Sequence, residues 1–462
     1  MGKTLNKKII GMCAGVLIAV ITWNLPLEGL GAEGRRCLAL TLMTVTFWAF
    51  QVAHSGYIAG LYLMLLVVFN VAPPELVFSS WTGTTIYLII GAYLIASAVK
   101  SSGLGERIAY WMLLRFVKGY RSIIISIFIL TAVLSLLIPH PWPRAFLIMS
   151  VISVVIKSAE VCREDAVKIG LTVFASSVPV SLIFLTGDST INPLAAQHSG
   201  LPLGWGGWFV VMGLPAIVAS VLTCAMILFL FRPEGEVRFD RDVILKKQIE
   251  AGALKQKEIR VLIWLIIAIL LWVTDVLHGF HIAWITLIIA MLMSFPVIGE
   301  VIVDRSWAEV PIQVLIFITG AVAIGRVGAV TGMNGWIAQT IMPGNLPQNI
   351  VLIAALITVI SVALHMVLGS VIAVMGVAIP ALISITEPAG LNPLVTSLIV
   401  YTAIASHYLL PFHHLNMLVG LGEENGMYTQ RETLRLGIPL TAVVFLVVLC
   451  VELPWWRFLG LL

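Results

Sequence analysis

Charged residues are scarce in this chain: Asp, Glu, Lys and Arg make up only 11% of its 462 residues. A soluble domain carries about 25% charged residues, which cover its surface. Here 60% of the residues are hydrophobic, more than a soluble core of this size would bury. The scarcity of charge therefore excludes an ordinary soluble domain and indicates that much of the surface faces lipid.

Cysteine is also scarce, and potential metal ligands are scattered. The five cysteines show no paired spacing and lie at Cys13, Cys37, Cys162, Cys224 and Cys450. Neither a disulfide framework nor a zinc site is predicted. Basic residues are spread over short polar segments without interleaved aromatic residues, which argues against nucleic acid as a partner. We expect no metal and no organic cofactor.

Long apolar stretches are abundant, and a run of about 18 or more apolar residues is typical of a membrane-spanning helix. The candidate spans are residues 9–24, 38–52, 56–70, 85–99, 207–231, 261–274, 281–298 and 433–453. The first resembles a secretion signal, but no small-residue cleavage site follows it, so we interpret it as a membrane helix. The predicted fold class is an all-α polytopic membrane protein with about eleven transmembrane helices.

The chain divides into two similar halves around one charged segment. We predict an N-terminal helix and loop, a first repeat, a cytoplasmic linker and a second repeat, at residues 1–36, 37–231, 232–260 and 261–462. An offset near 230 residues brings Gly91-Ala92 onto Gly320-Ala321, and Ala175-Ser176 onto Ala405-Ser406. Such a persistent offset is typical of an internal repeat; chance matching of apolar residues is the alternative.

Each half contains an apolar segment that is too long for one span and is broken in the middle. The first, 120–158, is interrupted by a proline-rich stretch at 138–143, and proline disrupts a helix interior. The second, 348–385, is interrupted near 368–370. Irregular backbone at membrane depth needs protein or a watery cavity around it. We therefore predict two re-entrant hairpins whose tips meet a central site. A kinked full span is the alternative for the second.

The distribution of Lys and Arg predicts the orientation of the chain. With eleven spans, two hairpins and a cytoplasmic N-terminus, 22 basic residues face the cytoplasm and three face outside, which follows the positive-inside rule. The same count places the two halves in opposite orientations. Inverted repeats with broken segments near the bilayer midplane are typical of secondary transporters. The predicted location is the cell membrane, which in a bacterium is the inner membrane.

In its order of spans, hairpins and broken spans, the chain resembles the divalent anion:sodium symporters, which carry dicarboxylates, citrate and sulfate. The likeness rests on Phe78-Ser-Ser-Trp-Thr-Gly83, on the stretch from Gly91 to Gly105, and on the related motifs Gly213-Leu-Pro215 and Gly437-Ile-Pro439. The resemblance implies a secondary transporter of a small organic anion. It also implies a homodimer and an elevator motion of a transport domain against a scaffold.

The resemblance is incomplete at the hairpin tips. Members of the family carry Ser-Asn-Thr at each tip, which binds substrate carboxylates and, with backbone carbonyls of the neighbouring breaks, holds sodium. Here the tips read His140-Pro-Trp-Pro-Arg144 and His365-Met-Val-Leu-Gly-Ser370, where only Ser370 matches. Sodium stays open as a coupling ion, but these tips argue against it. We predict uptake that does not require sodium and that responds to a proton gradient or to counter-substrate.

Three charged residues, Arg144, Arg326 and Asp188, are predicted at membrane depth, where an ionised side chain is a functional candidate by default. A guanidinium can bind a carboxylate bidentately, so Arg144 is a candidate for anion binding; the alternative is a structural clamp on hairpin carbonyls. Asp188 is a candidate for cation or proton coupling, or for pairing with Arg144; the alternative is a helix N-cap.

Histidines and small polar residues surround two predicted helix breaks, Thr186-Gly-Asp-Ser-Thr-Ile-Asn192 and Pro411-Phe-His-His-Leu-Asn416. His365, His407 and His414 are candidates for proton coupling, because histidine titrates near neutral pH. His407 and His414 would share one face if their helix continued through both. The other substrate-binding candidates are His140, Thr186, Ser189, Ser370, His413 and Asn416. For each of them, a hydrogen bond inside the protein is the alternative.

The sequence predicts a transporter rather than an enzyme. Two alternatives stay open at this point. One is a membrane-embedded enzyme that uses the histidine cluster, although the sequence lacks the clustered carboxylates that such an enzyme would favour. The other is a membrane subunit that works only with a binding-protein partner.

Overall fold

The computed structural model describes residues 2–158, 161–199, 203–234, 241–341, 347, 349–410 and 413–462. These residues are helical, with short 3-10 and π segments and no strand among them. Seven of their helices are long and apolar enough to cross a membrane: Asn6–Asn24, Thr85–Ser102, Tyr120–Leu137, Trp205–Leu230, Ile312–Val330, Ile350–Leu368 and Gln430–Phe458. The predicted all-α, multi-span fold class is confirmed.

Four helices form the N-terminal part of the chain. Their bounds are α1 Gly2–Asn24, α2 Ala32–Ala49, α3 Ser55–Val68 and α4 Pro74–Val77, and a 3-10 turn follows at Ser79–Trp81. Helices α1 and α2 pack against each other. The outer face of α1 exposes apolar side chains such as Leu17 and Val20, as expected of a helix that faces lipid.

Seven helices build the rest of the first half. Their bounds are α5 Thr85–Ser102, α6 Leu104–Phe116, α7 Tyr120–Leu137, α8 Pro141–Ser158, α9 Arg163–Val180, α10 Ile191–His198 and α11 Trp205–Leu230. A 3-10 turn, Leu185–Asp188, lies between α9 and α10. The predicted break at 186–192 is therefore confirmed, but it begins earlier, after Val180.

The predicted linker, 232–260, is partly helical. Helix α12 covers Arg241–Glu250, and α13 covers Gln256–Val273, so the last residues of the linker belong to α13. Residues 235–240 of this segment lie outside the described part of the chain. Two further helices follow, α14 Asp275–His278 and α15 Ile282–Leu292, and then a 3-10 turn at Asp304–Glu309.

The second half repeats the order of elements found in the first. Its helices are α16 Ile312–Val330, α17 Met333–Ile341, α18 Ile350–Leu368, α19 Val371–Thr386, α20 Pro393–Ala405, α21 Leu415–Val419, α22 Gln430–Leu446 and α23 Leu453–Phe458. One π-helical segment, Val447–Glu452, joins α22 to α23. The second break runs between α20 and α21; its residues Pro411 and Phe412 lie outside the described residues.

The helices around the two hairpin turns begin at the same spacing in the two halves. Helices α7 and α18 begin at Tyr120 and Ile350, and α9 and α20 begin at Arg163 and Pro393, an offset of 230 residues each time. Both α7 and α8 pack against α9, and both α18 and α19 pack against α20. This shared packing fits a hairpin in each half better than a kinked span. Their depth in the bilayer stays a prediction.

The first hairpin turn is shorter than the proline content suggested. Only residues 138–140 are non-helical, because Pro141 and Pro143 lie in the first turn of α8. The first-turn N–H groups have no partner within the helix, so proline is tolerated there. The expectation that Pro139, Pro141 and Pro143 all lie outside a helix was wrong for Pro141 and Pro143. The second turn comprises Gly369, with φ +60°, and Ser370.

Close helix contacts cross between the two halves. Helix α5 packs against α15, and α16 packs against α3. A Cβ on Gly91 of α5 would lie 3.0 Å from the Thr286 and Leu287 backbone of α15, and a Cβ on Gly320 of α16 would lie 2.9 Å from Ala59 of α3. The two glycines matched by the sequence offset thus serve the same kind of contact.

Candidate functional site

A cavity of about 500 Å³ lies where the two hairpin tips and the two breaks meet. Six of the eleven predicted site residues line it: His140, Asp188, Ser370, His413, His414 and Asn416. The other five do not line it: Arg144, Thr186, Ser189, His365 and His407. The sequence analysis therefore identified residues at the cavity. It did not distinguish the residues that line the cavity from those that lie behind its wall.

Helix N-termini converge on this cavity. First-turn or N-cap residues of α3, α8, α10, α16 and α19 line it, namely Gly56, Trp142, Ile191, Gln313 and Ser370. An N-terminus carries unpaired N–H groups and the positive end of the helix dipole. Five such ends at one cavity create a region that favours an anion.

His140 and Tyr93 form a hydrogen-bonded pair in the cavity wall. The backbone N–H of Trp142 donates to His140 Nδ1 at 3.3 Å. A neutral ring must then carry its proton on Nε2, which lies 2.6 Å from the Tyr93 hydroxyl oxygen. The histidine therefore donates to the tyrosine, and the tyrosine's own proton is left for another acceptor. Since Tyr93 also lines the cavity, that acceptor can be a bound anion.

Asp188 is both a cavity residue and a helix cap. Its Oδ1 accepts from the backbone N–H groups of Thr190 at 3.0 Å and Ile191 at 3.2 Å, at the start of α10. Asp188 thus satisfies N–H groups at the start of α10, as the capping alternative supposes, although the N-cap residue itself is Thr190; its role in cation or proton coupling stays a prediction. The one formal positive charge among the described cavity residues is Lys8 of α1.

Arg144 is fully buried and lies behind the first hairpin tip. Its Nη1 donates to the carbonyl of Ile138 at 3.2 Å, in the tip, and to the carbonyl of Gly187 at 3.1 Å, in the break. Its Nη2 donates to Ser181 Oγ at 2.5 Å. The guanidinium therefore clamps the tip to the break. This geometry favours the structural alternative over direct anion binding.

Three histidines of the second half form a cluster next to the cavity. The His365 ring centroid lies 6.2 Å from that of His407 and 5.6 Å from that of His413. His365 Nε2 donates to the His413 carbonyl at 2.8 Å, and His407 Nε2 lies 2.9 Å from Thr441 Oγ1. The Nδ1 atoms of His365 and His407 are buried without a hydrogen-bond partner among the described residues. The cluster thus contains two ring nitrogens at which a proton could bind.

His407 and His414 do not share a helix face. Helix α20 ends at Ala405, so both residues follow its end and the condition for a shared face, one helix that continues through both, is not met. His414 instead precedes α21, where its Nδ1 accepts from the N–H of Asn416 at 3.3 Å.

The remaining candidates divide between support and lining. Thr186 accepts a hydrogen bond from the Trp205 indole at 3.1 Å, so it supports the wall. The N–H of Ser189 donates to the Pro139 carbonyl at 3.1 Å and ties the break to the first tip. Ser370 caps α19. Asn416 lies in α21, and its side-chain nitrogen is buried without a hydrogen-bond partner in the described part of the protein.

Several cavity residues were missed by the sequence analysis. They include Tyr93 and four polar residues: Lys8, Gln51, His54 and Gln313. His54 precedes α3 and accepts from the Gly56 N–H, so a capping residue before an apolar run was the available signal. Tyr93 gave no signal, because an aromatic residue within a span is usually packed core. Within the described residues, no group of three His, Cys, Asp or Glu side chains is placed to hold a metal ion.

Comparison with known proteins gives consistent results. The family described as the sodium:sulfate symporter transmembrane region matches residues 6–462. A sodium-dependent dicarboxylate transporter, SdcS of Staphylococcus saprophyticus, is 23% identical over 87% of this chain and 83% of its own. The chloroplastic dicarboxylate transporter 1 of Arabidopsis thaliana is 23% identical over 97% of this chain and 83% of its own.

A solved structure shares the fold. The YdaH transporter of Alcanivorax borkumensis matches with a TM-score of 0.51 and 14% identity, over 98% of this chain and 97% of that chain. The family and these relatives are transporters, which decides against the membrane-embedded enzyme. Because the match spans nearly all of its residues, the chain belongs to the sodium:sulfate symporter transmembrane family.

Proposed function

We propose that the chain is a secondary active transporter of a small organic anion, in the first place a dicarboxylate. The convergence of five helix N-termini on one cavity carries the proposal. The names of the relatives from Staphylococcus and Arabidopsis give the substrate class. Half-helix ends that meet anionic groups are a recurring design in secondary transporters.

The cavity lining offers hydrogen-bond donors to a carboxylate, although no arginine is among its described residues. Ser370 contributes a hydroxyl, Asn416 a side-chain N–H group, and Tyr93 the proton that His140 leaves free. Lys8 adds a positive charge, and Asp188 a negative one. Hydrogen bonds to a charged group contribute about 1.5–3 kcal/mol each, and several of them together must outweigh the entropy lost when the anion binds. Thr186 and Ser189 support this wall from behind.

Transport requires that the cavity open to each side of the membrane in turn. We propose the orientation with a cytoplasmic N-terminus, in the inner membrane of a bacterium, with two inverted repeats and a homodimer that works by an elevator motion. Lys8, at the start of α1, lies at the cavity. In that orientation the cavity faces the cytoplasm. For coupling, we propose Asp188, His365, His407 and His414 as proton-binding candidates.

Counterflow in proteoliposomes that contain only this chain tests the proposed function. Vesicles loaded with unlabelled malate should take up radiolabelled malate, and succinate outside should compete. Monocarboxylates of similar size serve as the control and should compete at least tenfold less well. Empty vesicles set the background. Uptake by the chain alone would also remove the alternative of a subunit that needs a binding protein. Absence of exchange for every di- and tricarboxylate tested, and for sulfate, would contradict the proposal.

A further inference from the structure

One carboxyl group in the described part of the chain is fully buried and has no role in the cavity. Glu452 has no exposed surface and lies at the end of the π-helical segment between α22 and α23. The sequence analysis did not single it out, because it lies within the last apolar run. π segments inside helices occur often at functional sites, since they rotate a side chain out of the helical register.

The surroundings of Glu452 suit a neutral acid better than a carboxylate. Thr402 Oγ1 of α20 is hydrogen-bonded to Oε1. Oε2 is buried without a partner among the described residues. An ionised carboxylate taken out of water needs a cation or several donors, and otherwise it takes up a proton. One hydroxyl is not enough, so the carboxyl is protonated in this conformation.

No charged partner comes from the elements packed against this segment. Helices α11, α18 and α20 contact it, and their titratable residues are Cys224, His365 and Tyr401. His365 donates to the His413 carbonyl, and Tyr401 donates to Asn192. On its own helix, Cys450 and Arg457 are exposed, and Arg431, Glu432 and Arg435 lie near the far end of α22. Among the described ion pairs, none involves Glu452.

The hydrogen bond to Thr402 links Glu452 to the helix that leads into the second break. Thr402 lies one turn before the end of α20, and the chain then enters the break that carries His413 and His414 to the cavity. Helix α18, which also contacts the π segment, leads directly to the second hairpin tip. A rearrangement of the tip and the break would therefore change the surroundings of the carboxyl.

We propose that Glu452 is a proton-binding site of the transport cycle, which holds a proton in this conformation and releases it to water when α20 shifts against the last helix. The inference rests on the proposed transport function. Coupling requires that a ligand bind the two conformations unequally, and a proton on a carboxyl that is dry in one conformation and hydrated in the other meets that requirement. The exchange is Glu452–COOH to Glu452–COO⁻ plus one proton, with no other reactant.

Glu452→Gln tests this assignment, because glutamine imitates the neutral acid in shape and cannot release a proton. Two measurements use the full chain in proteoliposomes with radiolabelled malate as probe: counterflow without a gradient, and accumulation driven by an inward proton gradient in the absence of sodium. Glu309→Gln is the matched control, since Glu309 is exposed and lies 3.6 Å from Lys100. We expect E452Q to keep counterflow within about twofold and to lose at least tenfold in gradient-driven accumulation, while E309Q keeps both.

Infrared spectroscopy gives a second readout that does not depend on transport. The wild type at neutral pH should show the carbonyl stretch of a protonated carboxylic acid that E452Q lacks and E309Q retains. Thr402→Val leaves the carboxyl in place but removes a donor that favours the charged form, so the band should persist to higher pH. The expected band, with the expected pH shift, would support the assignment even if E452Q did not fold.

Several results would overturn the assignment. They are full gradient-driven accumulation by E452Q, loss of counterflow in a folded E452Q, and absence of the protonated band in the wild type. A wild type that exchanges malate but ignores the proton gradient would also overturn it and would leave the proposed function intact. A wild type that exchanges no organic anion at all would overturn both.

Discussion

Arg144 shows how a single buried charge can be structural at a place where a binding role was expected. Its two terminal nitrogens are occupied by the Ile138 and Gly187 carbonyls and by Ser181. Arg144→Ala should therefore destabilise the protein by at least about 2 kcal/mol, because buried acceptors lose a charged donor. Thermal unfolding in detergent measures the loss.

The control for this prediction is Arg121→Ala, since Arg121 is exposed in the first turn of α7 and should change stability by less than about 0.5 kcal/mol. Arg144→Lys should recover only part of the loss, because an ammonium cannot reproduce the planar fork. If Arg144→Ala instead melted like the wild type but no longer bound malate, the guanidinium would be part of the anion site.

The Tyr93 hydroxyl should contribute to anion affinity. Tyr93→Phe removes one hydrogen bond to a charged ligand and should weaken malate binding roughly tenfold or more. Unfolding temperature should change little. Isothermal titration or the concentration dependence of counterflow measures the affinity, and Tyr57→Phe is the control because Tyr57 is 80% exposed.

His140→Asn tests whether His140 matters because it positions the Tyr93 hydroxyl or because it caps α8. Asparagine is a good N-cap, so the start of α8 should be kept, while the donor to Tyr93 is lost. We expect weaker malate binding than in the wild type, and little further loss when Tyr93→Phe is added, because both changes remove one contact. Fully additive losses would show that the two residues act independently.

Between helices, the paired glycines Gly91 and Gly320 fix the two close crossings. Gly91→Ala and Gly320→Ala should each lower stability by about 1–3 kcal/mol, because the new methyl group would overlap a neighbouring helix. Gly335→Ala on α17 is the matched control. A Cβ there meets nothing within 4 Å, and alanine favours a helix by up to about 1 kcal/mol. Equal unfolding temperatures for all three variants would contradict this prediction, because they would show that both helix crossings accommodate an added methyl group at little cost.

The sequence predicted the elements better than the contacts. Apolar length and the proline and glycine interruptions located the hairpins and breaks, because both signals act on the local backbone. It did not predict that Pro141 and Pro143 begin α8, since that depends on where the turn closes. Nor did it show that α20 ends before His407, or that the π segment buries Glu452. These features depend on packing between distant parts of the chain.

At the scale of the whole molecule, the arrangement of basic side chains bears on the coupling ion. A sodium ion between a hairpin tip and a break would need carbonyl oxygens from both. In the first half, the Ile138 and Gly187 carbonyls already accept from Arg144. In the second half, the His413 carbonyl accepts from His365. A second cation within about 4 Å of the guanidinium would also be repelled by it.

Uptake should therefore proceed without sodium and respond to protons. In proteoliposomes at fixed pH, replacing external sodium with choline should change malate uptake by less than about twofold. An inward proton gradient should increase accumulation, because Glu452, Asp188 and the histidine cluster supply groups that a proton can bind, whereas the Arg144 guanidinium donates to two carbonyls beside the first break and repels a second cation there. Loading the vesicles with unlabelled malate separates exchange from symport, since exchange persists when both gradients are absent. Strong stimulation by an inward sodium gradient, with no effect of pH itself, would mean that sodium finds ligands elsewhere and that the buried acids and histidines only support the fold.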